Sequence, residues 1–395
     1  MLLKRIAFLL FLGGMGALLT SCWDRVEIDQ RGFVVGVAID QAEPNDKNHK
    51  YTGTYQIVIP GGIKQSNRGA SGGSSGKAYF NITTTENSMP ALSAKMSSKT
   101  SRSPYFEHLK MIVISQELAK KNSNFADLLD YFLRNNEMRR GVQVLISGEK
   151  ASKIFEIKSN NESMPIDYLS SIAKNNRRTN FMLPQTRIGD VHEKLVQNQS
   201  FAIQTVNIEK GDDGVSLAGS AIFAGNSKKF VGLLNGKETE GLNFMTNQIN
   251  GGIIEAKIDD SVVVFLIERS KRSISLASQD PGHFKFLIRI DAQGTLDKSV
   301  AGEDPSEAKT IQSLEASIKQ VIEGNALLAV QKLQQTYKKD AIGLGAFLYQ
   351  NHYKIWKSVE KNWENGLNLF TQAEINVQAK VTIHRIGNIK EIVKE

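Results

Sequence analysis

A single cysteine, Cys22, in 395 residues leaves no partner for an intramolecular disulfide, so the fold must stand on its apolar core alone. Histidine is nearly as scarce. His49, His108, His192, His283, His352 and His384 are scattered, and none has another ligand type at metal-binding spacing on a readable element. No metal site is expected. No P-loop is present, and Gly343-Leu344-Gly345 lacks the third glycine and follows a helix where a dinucleotide fingerprint needs a strand, so it reads as a turn. Gly72-Gly73-Ser74-Ser75-Gly76 matches G-x-S-x-G only formally, because no apolar strand precedes the serine. Asp212-Asp213 and Asp259-Asp260 lie in turn-like segments, where aspartate is favoured for its local backbone hydrogen bonds. These absences point away from an enzyme, and no catalytic, cofactor-binding or metal residue is assigned. The basic pairs Arg139-Arg140 and Arg177-Arg178 are short and lack interleaved aromatics, which excludes a nucleic-acid platform.

A long hydrophobic run is missing too, and the one apolar stretch at the N-terminus is instructive for its shortness. It spans residues 6–19 behind Lys4 and Arg5, is interrupted by Gly13, Gly14 and Gly16, and stops before Trp23-Asp24-Arg25. A bilayer-crossing helix needs ~20 apolar residues. A positive start, a short apolar stretch and small residues before a cut together read as a secretory signal covering residues 1–21. The order Leu19-Thr20-Ser21-Cys22 resembles the bacterial lipobox, in which a diacylglyceryl group is transferred to the thiol and the chain is cut before it. A buried free thiol is the commoner role for a lone cysteine, but a core cysteine has no reason to sit against a signal. Cys22 is therefore expected to carry the lipid and to begin a mature chain of 374 residues with a formal charge of +6. That mild excess suits weak attraction to an anionic membrane surface.

The body reads as alternating elements. Residues 33–39 are a nearly continuous apolar run between Gly32 and Asp40, the pattern of a strand buried on both faces. Strands are expected at 51–59, 79–84, 109–114 and 142–146, with a helix from Ser88 carrying Pro90 in its first turn. A second helix at 125–134 has Asn124 or Ser123 as cap and Phe125, Leu128, Leu129, Phe132 and Leu133 on one stripe. Shorter helices follow at 152–155, 166–173 and 188–195, and 69–76 is a Gly/Ser loop. Beyond Gln199 strands at 201–208, 217–223, 230–234, 253–258 and 262–267 are separated by turn residues. The last third holds the clearest helix: Asp304 caps, Pro305 and Glu307 fit its first turn, and Ile311, Leu314, Ile318, Val321, Ile322, Leu328 and Leu333 recur at helical spacing, with Gly324 as a kink. A further helix is expected to hold Trp356 and Trp363 on one inward face. Residues 375–383 alternate as a strand buried on one side.

This gives a mixed α/β, α+β body in three parts: 22–199 as an N-terminal mixed domain, 200–275 as a strand-rich middle domain, and 276–395 as a long helix packed on an antiparallel sheet. Asp340, Gly343, Gly345, Trp356 and Trp363 are expected to serve the fold.

Cys22-Trp23-Asp24-Arg25-Val26-Glu27-Ile28 with Gly36 and Asp40 resembles the mature start of the Ger(x)C family of spore-germination lipoproteins. Tyr105-Phe106-Glu107-His108-Leu109-Lys110, Gly219-Ser220-Ala221-Ile222-Phe223, Gly232-Leu233, Glu238-Thr239 with Gly241, Asp340 with Gly343 and Gly345, and both tryptophans fall in the family's order. Ala341 and Ile342 depart from it, standing where the family usually has a larger pair ending in an aromatic. The resemblance implies a lipid-anchored, non-catalytic subunit of a nutrient germinant receptor, beside an A-type and a B-type integral membrane subunit in the spore inner membrane. Its body would lie on the exterior face, with no cofactor beyond the diacylglyceryl and N-acyl lipid on Cys22 and no small-molecule substrate of its own. The alternative is a solute-binding lipoprotein of a transporter, which needs two similar α/β lobes facing a cleft.

Overall fold

The computed structural model describes residues 5, 27, 30–60, 77–121, 124–158, 161–209, 214–258, 261–278, 280, 282–296 and 308–386. Cys22, the loop at 69–76, both paired-aspartate turns and the caps Asp304, Pro305 and Glu307 lie outside these residues.

Apolar strands build the first sheet. In chain order it takes β1 (Arg31–Gln41), β2 (Tyr51–Val58) and β3 (Tyr79–Glu86), followed by helix α1 (Met89–Ser97). Ser88 caps α1, its hydroxyl accepting from the Ala91 N–H at 3.3 Å, and Pro90 fits the first turn. Then come β4 (Ser103–Tyr105), β5 (Met111–Ser115), α2 (Asn124–Arg134), β6 (Gln143–Ser147), α3 (Ile188–Val196), β7 (Phe201–Ile208), β8 (Val215–Ser216), β9 (Ser220–Phe223) and β10 (Phe230–Leu234). These ten strands form one sheet in the order β10-β9-β7-β6-β5-β1-β2-β3, with β4 beside β1 and β8 beside β7. Its centre, β1-β5-β6-β7, is parallel, and antiparallel wings flank it. Every residue of β5 and β6 is buried, as a parallel core covered on both faces requires. Period-two alternation divides them: Ile112, Ile114, Val144 and Ile146 face α1, α2 and α3, while Met111, Val113 and Leu145 face the short helices Ala151–Ile154 and Pro165–Ala173.

The second sheet has four strands, β11 (Ile253–Ile258), β12 (Ser261–Ser278), β13 (Lys285–Leu296) and β14 (Glu374–Ile386), in that order. Between β10 and β11 runs helix α4 (Gly236–Met245), with a complete Asn235/Glu238 capping box. Between β13 and β14 come the long helix α5 (Ala308–Gln331), α6 (Leu344–Asn351) and α7 (Tyr353–Val359). α5 lays Leu314, Ile318, Ile322, Ala326 and Ala329 on the sheet. It passes Gly324 without a break, and its irregularity comes later as a π-helical turn at Lys332–Tyr337 that stops at Lys338 in the left-handed region, φ 55°.

Three expectations are corrected. The strands of the expected middle domain make no sheet of their own: β7–β10 complete the first sheet, β11 and β12 open the second, and the boundary at 275 falls inside β12. The second sheet is mixed, because β14 pairs with β13 in parallel, an arrangement that needs the long helical crossover between them. The two tryptophans do not share a helix, since a 3-10 turn at Glu360–Asn362 separates Trp363 from Trp356 in α7.

α4 joins the two sheets. It crosses α5 so closely that a β-carbon on Gly241 would stand 2.0 Å from the Asn325 carbonyl oxygen. Backbone at that distance has nowhere to go. Gly241→Ala should therefore cost about 1–3 kcal/mol by overpacking, read as a lowered unfolding midpoint. An unchanged midpoint would mean that the helices part at no cost.

Candidate functional site

Where α6 begins, the chain turns at Asp340 and Gly343 enters the left-handed region at φ 89°. The turn is organised by one carboxylate. Asp340 Oδ1 accepts from the N–H groups of Gly343 at 2.8 Å and Leu344 at 3.0 Å, while Oδ2 accepts from the Gly345 N–H at 2.6 Å and from Trp363 Nε1 at 2.8 Å. Three donors left over at the start of a helix are satisfied at once, and a negative charge sits where the helix dipole favours it. Gly345 is required by crowding: its β-carbon would lie 2.8 Å from Trp363 Nε1 and 3.0 Å from the Trp356 ring. The Trp363 indole packs edge-on against Phe284, Phe286, Phe370 and Trp356. The Asp-Gly-Gly-Trp-Trp residues singled out in the sequence thus meet in one knot.

Glu364 ties that knot to the first sheet. Its Oε1 accepts from the Asp340 N–H at 2.7 Å and its Oε2 from the Ser200 hydroxyl at 2.7 Å, and Ser200 Oγ in turn accepts from the Gly225 N–H at 3.2 Å. Burial, then the neighbouring Asp340 charge, pushes the Glu364 carboxyl up to about 7, against the pull of Ser200 and of Lys339 at 3.9 Å. A cleft of about 1010 Å³ opens beside it, between the loops that start β7 and the α6–α7 corner, with Arg272 and Ile274 of β12 also lining it.

A second buried acid lies at the other crossing. Glu240 of α4 is 2 % exposed and accepts from Asn325 Nδ2 of α5, and burial pushes it up to about 7 against the opposing contacts of Asn180, Asn325 and Lys237. Asn243, one helical turn on, donates to the carbonyls of Asn180 at 2.8 Å and Met182 at 2.9 Å. Glu240 Oε1, Asn180 Oδ1 and Asn243 Oδ1 are buried and meet no donor. Glu364, Ser200, Glu240, Asn180 and Asn325 carried no signal in the sequence, because each is a lone polar residue whose partner is distant in the chain.

The chemistry available is that of joints. Asp340 has all its acceptor capacity committed to backbone and indole donors, and the Ser200 hydroxyl is engaged on both sides, so neither is poised as a base or a nucleophile. Among the described residues no group of three His, Cys, Asp or Glu is placed to hold a metal ion, and no helix is long and apolar enough to cross a membrane. Cys22, the one site residue expected from sequence, is outside the described residues.

Comparison with known proteins places the whole body. The family model described as "Spore germination protein N-terminal domain" matches residues 24–208, and that described as "Spore germination B3/GerAC like, C-terminal" matches residues 218–387. The chain is 27 % identical over 391 residues to spore germination protein YndF of Bacillus subtilis (strain 168), covering 94 % of each. It is 27 % identical over 375 residues to spore germination protein B3 of the same organism, covering 94 % of this chain and 95 % of that one. The crystal structure of the GerBC protein shares the fold, with a TM-score of 0.60 at 24 % identity, covering 92 % of this chain and 100 % of that one. With both halves matched and the fold shared, the chain belongs to the GerAC family of spore germination proteins.

Proposed function

We propose that this chain is the lipid-anchored, non-catalytic C-type subunit of a nutrient germinant receptor in the spore inner membrane, with its body on the exterior face beside A-type and B-type integral membrane subunits. The observation that carries the reading is the pair of family matches, which begin at residue 24, two positions after Cys22, and run to residue 387. A lipid on Cys22 supports it physically. One acyl chain gives only reversible binding at ~0.8 kcal/mol per buried CH₂, whereas two or three chains hold firmly. Confinement to the membrane then raises the effective concentration of this subunit beside its partners with no new protein contact. The solute-binding alternative loses ground because the two sheets differ in size, order and helix cover.

Mass spectrometry of the mature N-terminal peptide tests the anchor: the expected result is a diacylglyceryl, N-acylated Cys22, and an unmodified thiol on membrane-bound protein would sink it. Cys22→Ala should leave the protein uncleaved or released from spore membranes. Purification of the wild-type subunit from such membranes should bring the A-type and B-type subunits with it.

A further inference from the structure

β12 runs for 18 residues, but β11 covers only its first third, from Ser261 to Leu266, with one further bond from the Ile267 N–H to the Gly252 carbonyl. On the other side β13 pairs with it as far as Ser278. The second half of β12 therefore has one edge that no described strand occupies. The direction of that edge can be read from one bond. The Arg272 N–H donates to Asn247 Oδ1 at 2.9 Å, so Arg272 turns its backbone groups away from β13. Residues two apart in a strand share that side. Ile274 therefore offers its N–H and C=O outward, as does Leu276 before the register shift between Leu276 and Ser278.

Edges of this kind are usually blunted by lysine, proline or a bulge. Residues 273–276 read Ser-Ile-Ser-Leu, with none of the three until the shift at their far end. This edge also borders the cleft, which Arg272 and Ile274 line. No described residue accepts a hydrogen bond or forms an ion pair with the half-buried Arg272 guanidinium, and burial lowers its pKa. Of the acids along the cleft, Asp340 and Glu364 are held in the knot and Glu360 pairs with Lys357. The bonds to Asp340 come from neutral donors, so Asp190 and Asp340 both stand against Arg272, Lys194 and Lys361, and the positive side chains outnumber them by one.

We propose that the free edge at residues 273–276 receives an extended acidic segment of a partner protein as an added strand, with one of its carboxylates meeting Arg272 in the cleft. Main-chain bonds to Ile274 and Leu276 supply the docking, and the carboxylate fixes its register. The partner's identity rests on the receptor reading: the segment belongs to the A-type or B-type membrane subunit.

The test is photo-cross-linking in membranes that hold the full-length chain and both subunits, with benzoylphenylalanine at the exposed Ser273. The expected adduct maps to an acidic stretch of one membrane subunit. Arg272→Glu should lower its yield about tenfold by placing like charges together, and Ile274→Pro should lower it by deleting an outward N–H that β13 does not use. Melting of each variant is measured first, and if Ile274→Pro unfolds the protein, Arg272→Glu decides. An adduct to a second copy or to this chain's own residues overturns the proposal. So does an undiminished yield in a folded Arg272→Glu variant. If wild-type chain retains both subunits but the edge variants change nothing, the edge is wrong and the receptor reading stands. If wild-type chain retains neither subunit, both fall.

Discussion

Asp340→Ala should lower the unfolding free energy of the body lacking residues 1–22 by about 4 kcal/mol or more, because it strands four donors, three backbone N–H groups and one indole, at a site that is 5 % exposed. Each lost acceptor costs about 1–3 kcal/mol when the donor stays dry, and water entering from the cleft at the start of α6 relieves part of the sum. Asp340→Asn should cost roughly half as much, since one oxygen can still serve Gly343 and Leu344 while the amide turns a donor toward Gly345 and Trp363. Trp363→Phe keeps most of the ring and removes one of the four donors. Its cost should therefore shrink in the Asp340→Ala background, and a double-mutant cycle in urea reads that coupling directly. If Asp340→Ala melts like the parent but fails to retain the membrane subunits proposed as its partners, the knot is a contact surface and its role in the fold has been misassigned.

The parts of this knot were legible one by one, and their assembly was not. Asp340 before Gly343 and Gly345, and two tryptophans seven positions apart, stand out in the sequence, but equal spacing suggested one helix where the chain breaks into α7, a 3-10 turn and Trp363. The same limit shaped the fold. Continuous apolar runs located β5 and β6, Ser88 with Pro90 located α1, and strict alternation located β14, because each pattern depends only on which faces are buried. Which strands are neighbours is set by pairing across the chain. Thus β7–β10 read as members of a separate domain although β7 belongs to the parallel centre and β8, β9 and β10 extend the sheet from it. Helix α4 left no stripe to find, since Thr239, Glu240, Gly241, Leu242 and Asn243 are all buried against sheets and α5 on several sides. Its capping box, Asn235 with Glu238, was the available signal.

That sharing has a consequence for the two family halves. β9 and β10 belong to the half that begins at residue 218, yet they extend the sheet of the half that ends at residue 208. Glu364–Ser200 and the α4–α5 crossing then fasten the second sheet back onto the first. Glu364–Ser200 and the bonds from Asn243 to the Asn180 and Met182 carbonyls cross between the two halves, Glu240–Asn325 lies within the second, and Glu364 and Glu240 are both raised from 4.5 to about 7.

The body should therefore lose stability as pH rises from about 5 to about 8, opposite in sign to an acid-denatured protein held by paired carboxylates. Between the unfolded value of 4.5 and the folded value of about 7, each glutamate binds its proton in the native state and releases it on unfolding. Protons bound more tightly by the native chain make stability fall with pH. The contribution is fully present below pH 4.5 and is lost by the time pH has passed the folded value. A shift of that size corresponds to about 3 kcal/mol per group at 1.36 kcal/mol per unit. Lys339 near Glu364 and Lys237 near Glu240 already act against the shift, while Asp340 adds to it at the first joint. Glutamine imitates the neutral acid, with an oxygen for the Asp340 N–H and an amide donor toward Ser200. Glu364→Gln and Glu240→Gln should each flatten part of the pH slope while leaving stability at pH 5 nearly unchanged. The measurement is the urea midpoint of wild type, both single variants and the double variant at pH 5, 6, 7 and 8. A wild-type midpoint that stays level or rises across that range means that the two glutamates are charged in the native protein and that the joints between the sheets are ionic. A slope that survives both substitutions assigns the proton to another group.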